Sequence, residues 1–237
     1  MTETQANPGA APQDDPKQAL LEAALPHVPF DGWSEATFRA AIADSGLSQG
    51  LARAICPRGA VDLAVAQHKV GDAKMAETLR ADPMEGLRFR DKVARAVRLR
   101  IEAAGDREVV RRGSTLFALP HHAPEGARLI WGTADAIWNA LGDTSDDLNW
   151  YSKRASLAGV YGSTLLYWLG DDSVDQRATW EFLDRRIGDV MQIETVKGRM
   201  RQNPLMARMM EVPNKLFSGI RRPQKPADMP GRWDTPR

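Results

Sequence analysis

Apolar residues in this chain recur every three or four positions, and nowhere do β-branched residues alternate long enough for a half-buried strand. That spacing constrains the fold to helices. Lys17 to Leu25 sets Leu20, Leu21, Ala24 and Leu25 on one side before Pro26 stops the run. Ser34 is suited to cap a helix through Ala43 with Phe38 and Ile42 inward, and Gly46 to end it. Ser48 opens a third short helix to Ile55. Gly59 begins a fourth, with Val61, Val65, His68 and Lys69 at helical spacing. A longer helix is predicted over Met84 to Ala104, with Leu87, Val93, Val97 and Ile101 inside and its arginines outside. The expected class is all-α.

Length and charge narrow the functions. A chain of 237 residues with 43% hydrophobic content can bury a sizeable core. Thirty-two basic residues against 31 acidic ones exclude a uniformly basic nucleic-acid coat protein. The single cysteine, Cys56, excludes a disulfide framework and a cysteine-rich zinc module, and it fits a reducing compartment. No stretch approaches the roughly 18–20 consecutive apolar residues of a membrane span. Met1 to Asp15 has three acids and no Lys or Arg, unlike a secretory or mitochondrial leader. A cytoplasmic, bacterial setting is expected, with residues 1–16 as a disordered tail.

The first helices, with Gly46-Leu47-Ser48 between the second and third, resemble the TetR-type helix-turn-helix, whose third helix enters the DNA major groove. The charge does not suit that task. Lys17 to Arg80 carries seven basic and seven acidic residues, and only Gln49 and Arg53 of the would-be recognition helix suit base edges. A degenerate module over 17–80, retained for packing and without specific DNA binding, is expected.

Residues for catalysis are scarce. His27, His68, His121 and His122 form no HExxH or Cys/His set, and no phosphate-cradling glycine motif occurs. Asp143, Asp146 and Asp147 suggest a metal site, but Thr144 with Asp147 fits a helix cap better. No catalytic or metal-binding residue is assigned. From 141 to 187 the chain reads as two helices joined by the acidic turn Gly170-Asp171-Asp172-Ser173. Small residues at Ala155, Ala158, Gly159 and Gly162 allow close helix approach or leave room for a ligand. Asn149, Trp150 and Tyr151 are bulky and consecutive, so they cannot all face inward.

The run Asp147-Leu148-Asn149-Trp150-Tyr151-Ser152-Lys153-Arg154-Ala155, then Tyr161, Asp171 to Ser173, and Thr179-Trp180-Glu181-Phe182-Leu183 through Arg186-Ile187, resembles the ubiquinone-biosynthesis accessory family. This is the family of the ninth Coq protein, a lipid-binding branch of the TetR structural superfamily. The likeness covers about Ala41 to Ile187 and is most specific at Asn149-Trp150-Tyr151. It implies a homodimer that does not use its helix-turn-helix on DNA. It also implies a non-catalytic protein that binds isoprenoid lipids in an apolar cavity and assists the di-iron quinone hydroxylase. A helical bundle over 81–197 would then shelter an isoprenoid lipid or quinone precursor among Trp131, Trp138, Leu157, Tyr161 and Leu165. No other cofactor is expected. Exposed Asn149, Trp150, Tyr151 and Arg154 would dock the hydroxylase, because aromatic and Arg residues dominate interface hot spots.

The chain from Gln192 onward carries ten basic and four acidic residues. Within 198–222, Asn203 and Pro204 suit a helix start. Leu205, Met209, Val212, Leu216 and Ile220 then share a face, flanked by Met206, Met210 and Phe217, while Pro213 kinks or splits the helix. A basic amphipathic helix of this kind suits a membrane surface, and the resemblance implies the same for the inner face of the membrane. Docking on its own body or on a dimer mate is the alternative. Residues 223–237 read as a flexible tail. The rival to the whole reading is a TetR-type transcriptional regulator with a lipid-like effector.

Overall fold

The computed structural model describes residues 15–82, 84–145 and 148–202, and within them ten α-helices and one 3₁₀ turn but no strand. The all-α expectation holds. The amphipathic segment with Leu205, Met206, Met209, Met210, Leu216, Phe217 and Ile220 lies outside the described residues, as do Asp146 and the Asp147 of the expected Thr144–Asp147 cap.

The N-terminal helices form where the sequence signals them. α1 (Pro16–Ala24) is capped by Asp15, whose carboxylate accepts from the Lys17 amide, and a four-residue α2 (Val28–Asp31) follows. α3 (Glu35–Ser45) starts on Ser34, whose Oγ accepts from the Thr37 amide, and ends at Gly46 with a left-handed φ of 68°. α4 (Gln49–Ile55) starts on Ser48 in the same way. Leu20, Leu21, Val28, Phe38, Ala52 and Cys56 meet in one core. Burial raises the Cys56 thiol above its ordinary pKa, which suits a packing residue rather than a nucleophile.

α5 (Ala60–Ala81) begins after Gly59 and runs from this first core to a second, which Met75 and Leu79 enter beside Val97, Ile137, Tyr161 and Leu183. The second core is built from α6 (Phe89–Glu102), α8 (Ala123–Ala140), α9 (Leu148–Leu169) and α10 (Arg177–Gln202). α7 (Arg107–Ala118) stands between the cores: Val109 packs in the first, and Val110 packs against the second.

Two expectations for the longer helix need correction. It starts at Phe89 rather than Met84, whose φ of 50° is left-handed, and Leu87 is exposed instead of inside. Arg100 is not outside either. It is 2% exposed, with Nε 2.6 Å from Asp72 and Nη2 donating to the His68 carbonyl. Gly71 makes room for it, since a Cβ there would stand 2.6 Å from the guanidinium.

The acidic turn also does structural work. Asp171 accepts from the Ser173 amide and from both the amide and hydroxyl of Thr179, tying α9 to the start of α10. The Thr179 hydroxyl, the Ser173 side chain and the backbone amides together hold its carboxyl well below the usual range.

Candidate functional site

A cavity of about 270 Å³ opens where the two cores meet. Its walls are mostly apolar: Trp33, Ala64, Val109, Val110, Phe117, Leu129, Ile130, Tyr161, Leu165 and Leu166 line it, together with the backbones of Gly113, Gly126 and Gly162. Polar side chains reach the wall at Gln67, His68, Arg100 and Ser114. The volume is near the low end of small-ligand pockets, about 300–1,000 Å³. At roughly 30 Å³ per water it compares with about nine solvent molecules.

The polar groups on the wall form a connected network. Thr133 donates to Asp72 at 2.8 Å, and its oxygen lies 2.9 Å from His68 Nε2. Asp72 is an acceptor only, so the hydroxyl proton is committed to it and His68 Nε2 must be the donor to Thr133. Burial, then the nearby Arg100 charge, pushes the His68 imidazole down to about 4 against the pull of Asp72 and the Leu129 carbonyl. His68 is therefore neutral at pH 7, and its 3.8 Å approach to Asp72 is not an ion pair there. The carboxylate instead neutralises Arg100, whose guanidinium carbon lies 5.6 Å from the centre of the Tyr161 ring. The Gln67 side chain donates to the Ala104 carbonyl.

Of the five residues expected to line the cavity, Tyr161 and Leu165 do so. Trp131, Trp138 and Leu157 do not. The cavity takes the Gly126, Leu129 and Ile130 side of α8, and Trp131 is turned about 100° from Ile130. Trp138 packs on Phe89, with ring centres 5.6 Å apart, and donates from Nε1 to the Lys153 carbonyl. Leu157, one turn before Tyr161, is 4% exposed within the second core. The wall also draws on α5, α7 and Trp33, which sequence reasoning missed. A cavity bordered by distant segments leaves no spacing in any one of them.

Trp131 belongs instead to a surface cluster. Its ring centre lies 6.0 Å from that of Trp150 and 6.5 Å from that of Tyr151, and the latter two meet edge to face at 4.8 Å. All three are half-buried, and Asn149 beside them is exposed. Arg154 is not exposed as expected: it is 1% exposed beneath this cluster. Its Nε binds Asp135 at 2.6 Å, its Nη1 binds Asp143 at 3.0 Å, and its guanidinium stacks 4.1 Å from the Trp150 ring centre. Lys153 adds a second cation 2.8 Å from Asp143. Burial works to raise the Asp143 carboxyl, but hydrogen bonds from Lys153, Ser145 and Arg154 outweigh it and hold it below the usual range.

The helix-turn-helix shows a comparable restraint. Arg53 pairs with Glu35 and stacks over Phe38, 4.7 Å from the ring centre, while Gln49 is exposed. Among the described residues no three His, Cys, Asp or Glu side chains gather as metal ligands, and no helix is long and apolar enough to cross a membrane.

A TetR transcriptional regulator from Nitrosomonas europaea has a similar structure, with a TM-score of 0.61 over 73% of this chain and 97% of that one. At 18% identity the likeness shows the fold alone. Residues 123–194 match the COQ9 family model. The chain is also 30% identical over 186 residues to proteins of Bos taurus and Homo sapiens, each named ubiquinone biosynthesis protein COQ9, mitochondrial. Each match covers 73% of this chain, which spans 56% of the length of these relatives. A Drosophila melanogaster protein of the same name is 30% identical over 202 residues, covering 77% of this chain and 60% of its own. The family match takes in the Trp131–Trp150–Tyr151 cluster and the α8 and α9 walls of the cavity, and the chain belongs to the COQ9 family.

Proposed function

We propose that this chain is a non-catalytic, lipid-binding accessory protein of ubiquinone biosynthesis. In this reading it takes an isoprenoid quinone precursor at the membrane surface and presents it to a di-iron quinone hydroxylase. The observation that carries the reading is the apolar cavity at Tyr161 and Leu165, within the part of the chain that matches the COQ9 family. The charged groups at its wall, Arg100 and Asp72, pair with each other, and His68 and Thr133 join them, which suits an uncharged, mainly hydrocarbon ligand better than an ion.

The hydroxylase docks, in this reading, on Trp131, Trp150, Tyr151 and Asn149, a cluster of rings that buries much apolar area when covered. Arg154 supports the cluster from beneath rather than touching the partner. The basic segment with Leu205, Met209, Leu216 and Ile220 holds the protein at the membrane surface, and two copies associate as a homodimer. Specific DNA binding is not part of this function, in keeping with the neutral module and the restrained Arg53.

Native mass spectrometry of the purified chain, followed by lipid extraction, tests the reading. An isoprenoid quinone or its precursor should be retained. Recovery of an unselective phospholipid mixture, or of nothing, overturns it. The Trp150→Ala, Tyr151→Ala double variant should keep its helix content, lose co-purification with the hydroxylase and stall quinone synthesis at hydroxylation. A folded double variant that still binds the enzyme places the docking surface elsewhere.

A further inference from the structure

Trp33 lies in the loop between α2 and α3, 8% exposed, and lines the cavity. Its Nε1 is buried without a hydrogen-bond partner among the described residues. An indole N–H can only donate, and an unpaired buried donor bears the whole cost of losing water. Most other polar side chains of the wall are already paired, His68 with Thr133, Arg100 with Asp72, and Gln67 with the Ala104 carbonyl, and Ser114 is only half-buried. Trp33 stands apart from them.

Nε1 faces Gly113 of α7, which also lines the cavity. A Cβ built on Gly113 would stand 3.5 Å from Nε1, an ordinary contact distance. Nε1 itself has no surface open to solvent, so an acceptor reaches it only where the wall gives way, and a side chain at Gly113 would brace the wall at that point.

We infer that Trp33 is a ligand-binding residue: its Nε1–H donates to an acceptor oxygen on the molecule that fills the cavity, reached by a small shift of the wall that Gly113, without a side chain, permits. The oxygen belongs to an uncharged group, such as a quinone carbonyl, on an otherwise apolar body. An anion would find Arg100 already neutralised by Asp72 at 2.6 Å, and a plain hydrocarbon would leave the indole donor unpaired. The inference rests on the lipid-binding reading above and adds the contact that selects the head group. It also assigns part of the ligand site to the N-terminal module.

The test compares two probes on the full chain, a decyl-substituted 1,4-benzoquinone and decylbenzene, through their dissociation constants for wild type, Trp33→Phe and Gly113→Ala. Phe keeps most of the ring without the donor. Ala braces the wall beside the donor with a methyl group at a position whose backbone needs no glycine. The ratio of quinone to hydrocarbon affinity should fall about tenfold in both variants, as expected for losing roughly one hydrogen bond. The thermal midpoint of ligand-free Gly113→Ala should hold or rise, since Ala favours a helix interior. An unchanged ratio in either folded variant overturns the inference. Should Trp33→Phe fail to fold, Gly113→Ala decides alone. Wild type binding both probes with unmoved ratios in the variants sinks only this assignment. Wild type binding neither removes the lipid-binding reading and this assignment together.

Discussion

The guanidinium of Arg154 stands 4.1 Å from the centre of the Trp150 ring, with its N–H groups held by Asp135 and Asp143. One face of the exposed-looking cluster is therefore set by a charge buried beneath it. Arg154→Ala leaves the Asp143 carboxylate, whose side chain is 4% exposed, with Lys153 as its one remaining cation and removes the support under Trp150, so it should cost about 1–3 kcal/mol in urea unfolding. Arg154→Lys keeps the charge but not the planar fork. It should unfold at lower urea than wild type and show an altered near-ultraviolet dichroism from Trp150.

Gly71 and Arg100 give a second prediction. On an unconstrained helix face Gly→Ala gains about 1 kcal/mol. Here the new Cβ would lie 2.6 Å from a guanidinium held by Asp72 and the His68 carbonyl. Gly71→Ala should instead lower stability by about 1–3 kcal/mol, the usual scale for overpacking. A rise in the thermal midpoint would show that Arg100 moves aside freely.

The neutral His68 makes stability depend on pH. Its pKa falls from 6.5 to about 4 on folding, so between those values the unfolded chain binds the extra proton. The contribution is fully present above pH 6.5 and is lost as pH falls through 6.5 toward 4. About 2.5 units at 1.36 kcal/mol each give roughly 3 kcal/mol. Urea unfolding of wild type and His68→Gln at pH 7 and pH 4.5 should show the smaller acid loss in the variant. Equal losses would place the titration elsewhere.

Arg53 is committed to Glu35 and Phe38. Any affinity for DNA should therefore be sequence-independent and fall steeply with salt, and Arg53→Ala should leave the pattern of bound sequences unchanged. A genomic selection at low salt that returns one reproducible site, lost in Arg53→Ala, would restore the regulator reading.

The helix boundaries marked by Ser34, Gly46, Ser48 and Gly59 were legible because each acts through its own backbone neighbours. Met84 to Leu87 misread because Leu87 keeps the apolar spacing although Met84 breaks the helical backbone at a φ of 50°. Arg100 and Arg154 misread for a different reason. An arginine reads as surface until a carboxylate from another helix, Asp72 or Asp135, meets it, and that pairing is tertiary. Tyr161 and Leu165 reach the cavity from α9 beside Gly162, whereas Trp131, expected at the same wall, is turned to the other side of α8. Trp33 had no local signal at all. Its role depends on Gly113, which lies far along the chain.

The cavity divides the molecule along a seam. Trp33 and Ala64 belong to the first core, Tyr161 and Leu165 to the second, and among the described residues α5 and α7 alone reach into both. The open volume removes contacts where the two cores would otherwise brace each other, so each can loosen with less hindrance from its neighbour. A molecule filling that volume touches both and joins their melting. Calorimetry of the ligand-free chain should give a broad endotherm, with a van't Hoff enthalpy below the calorimetric one, and occupancy should draw the two enthalpies together. The ligand then acts as mortar between two blocks.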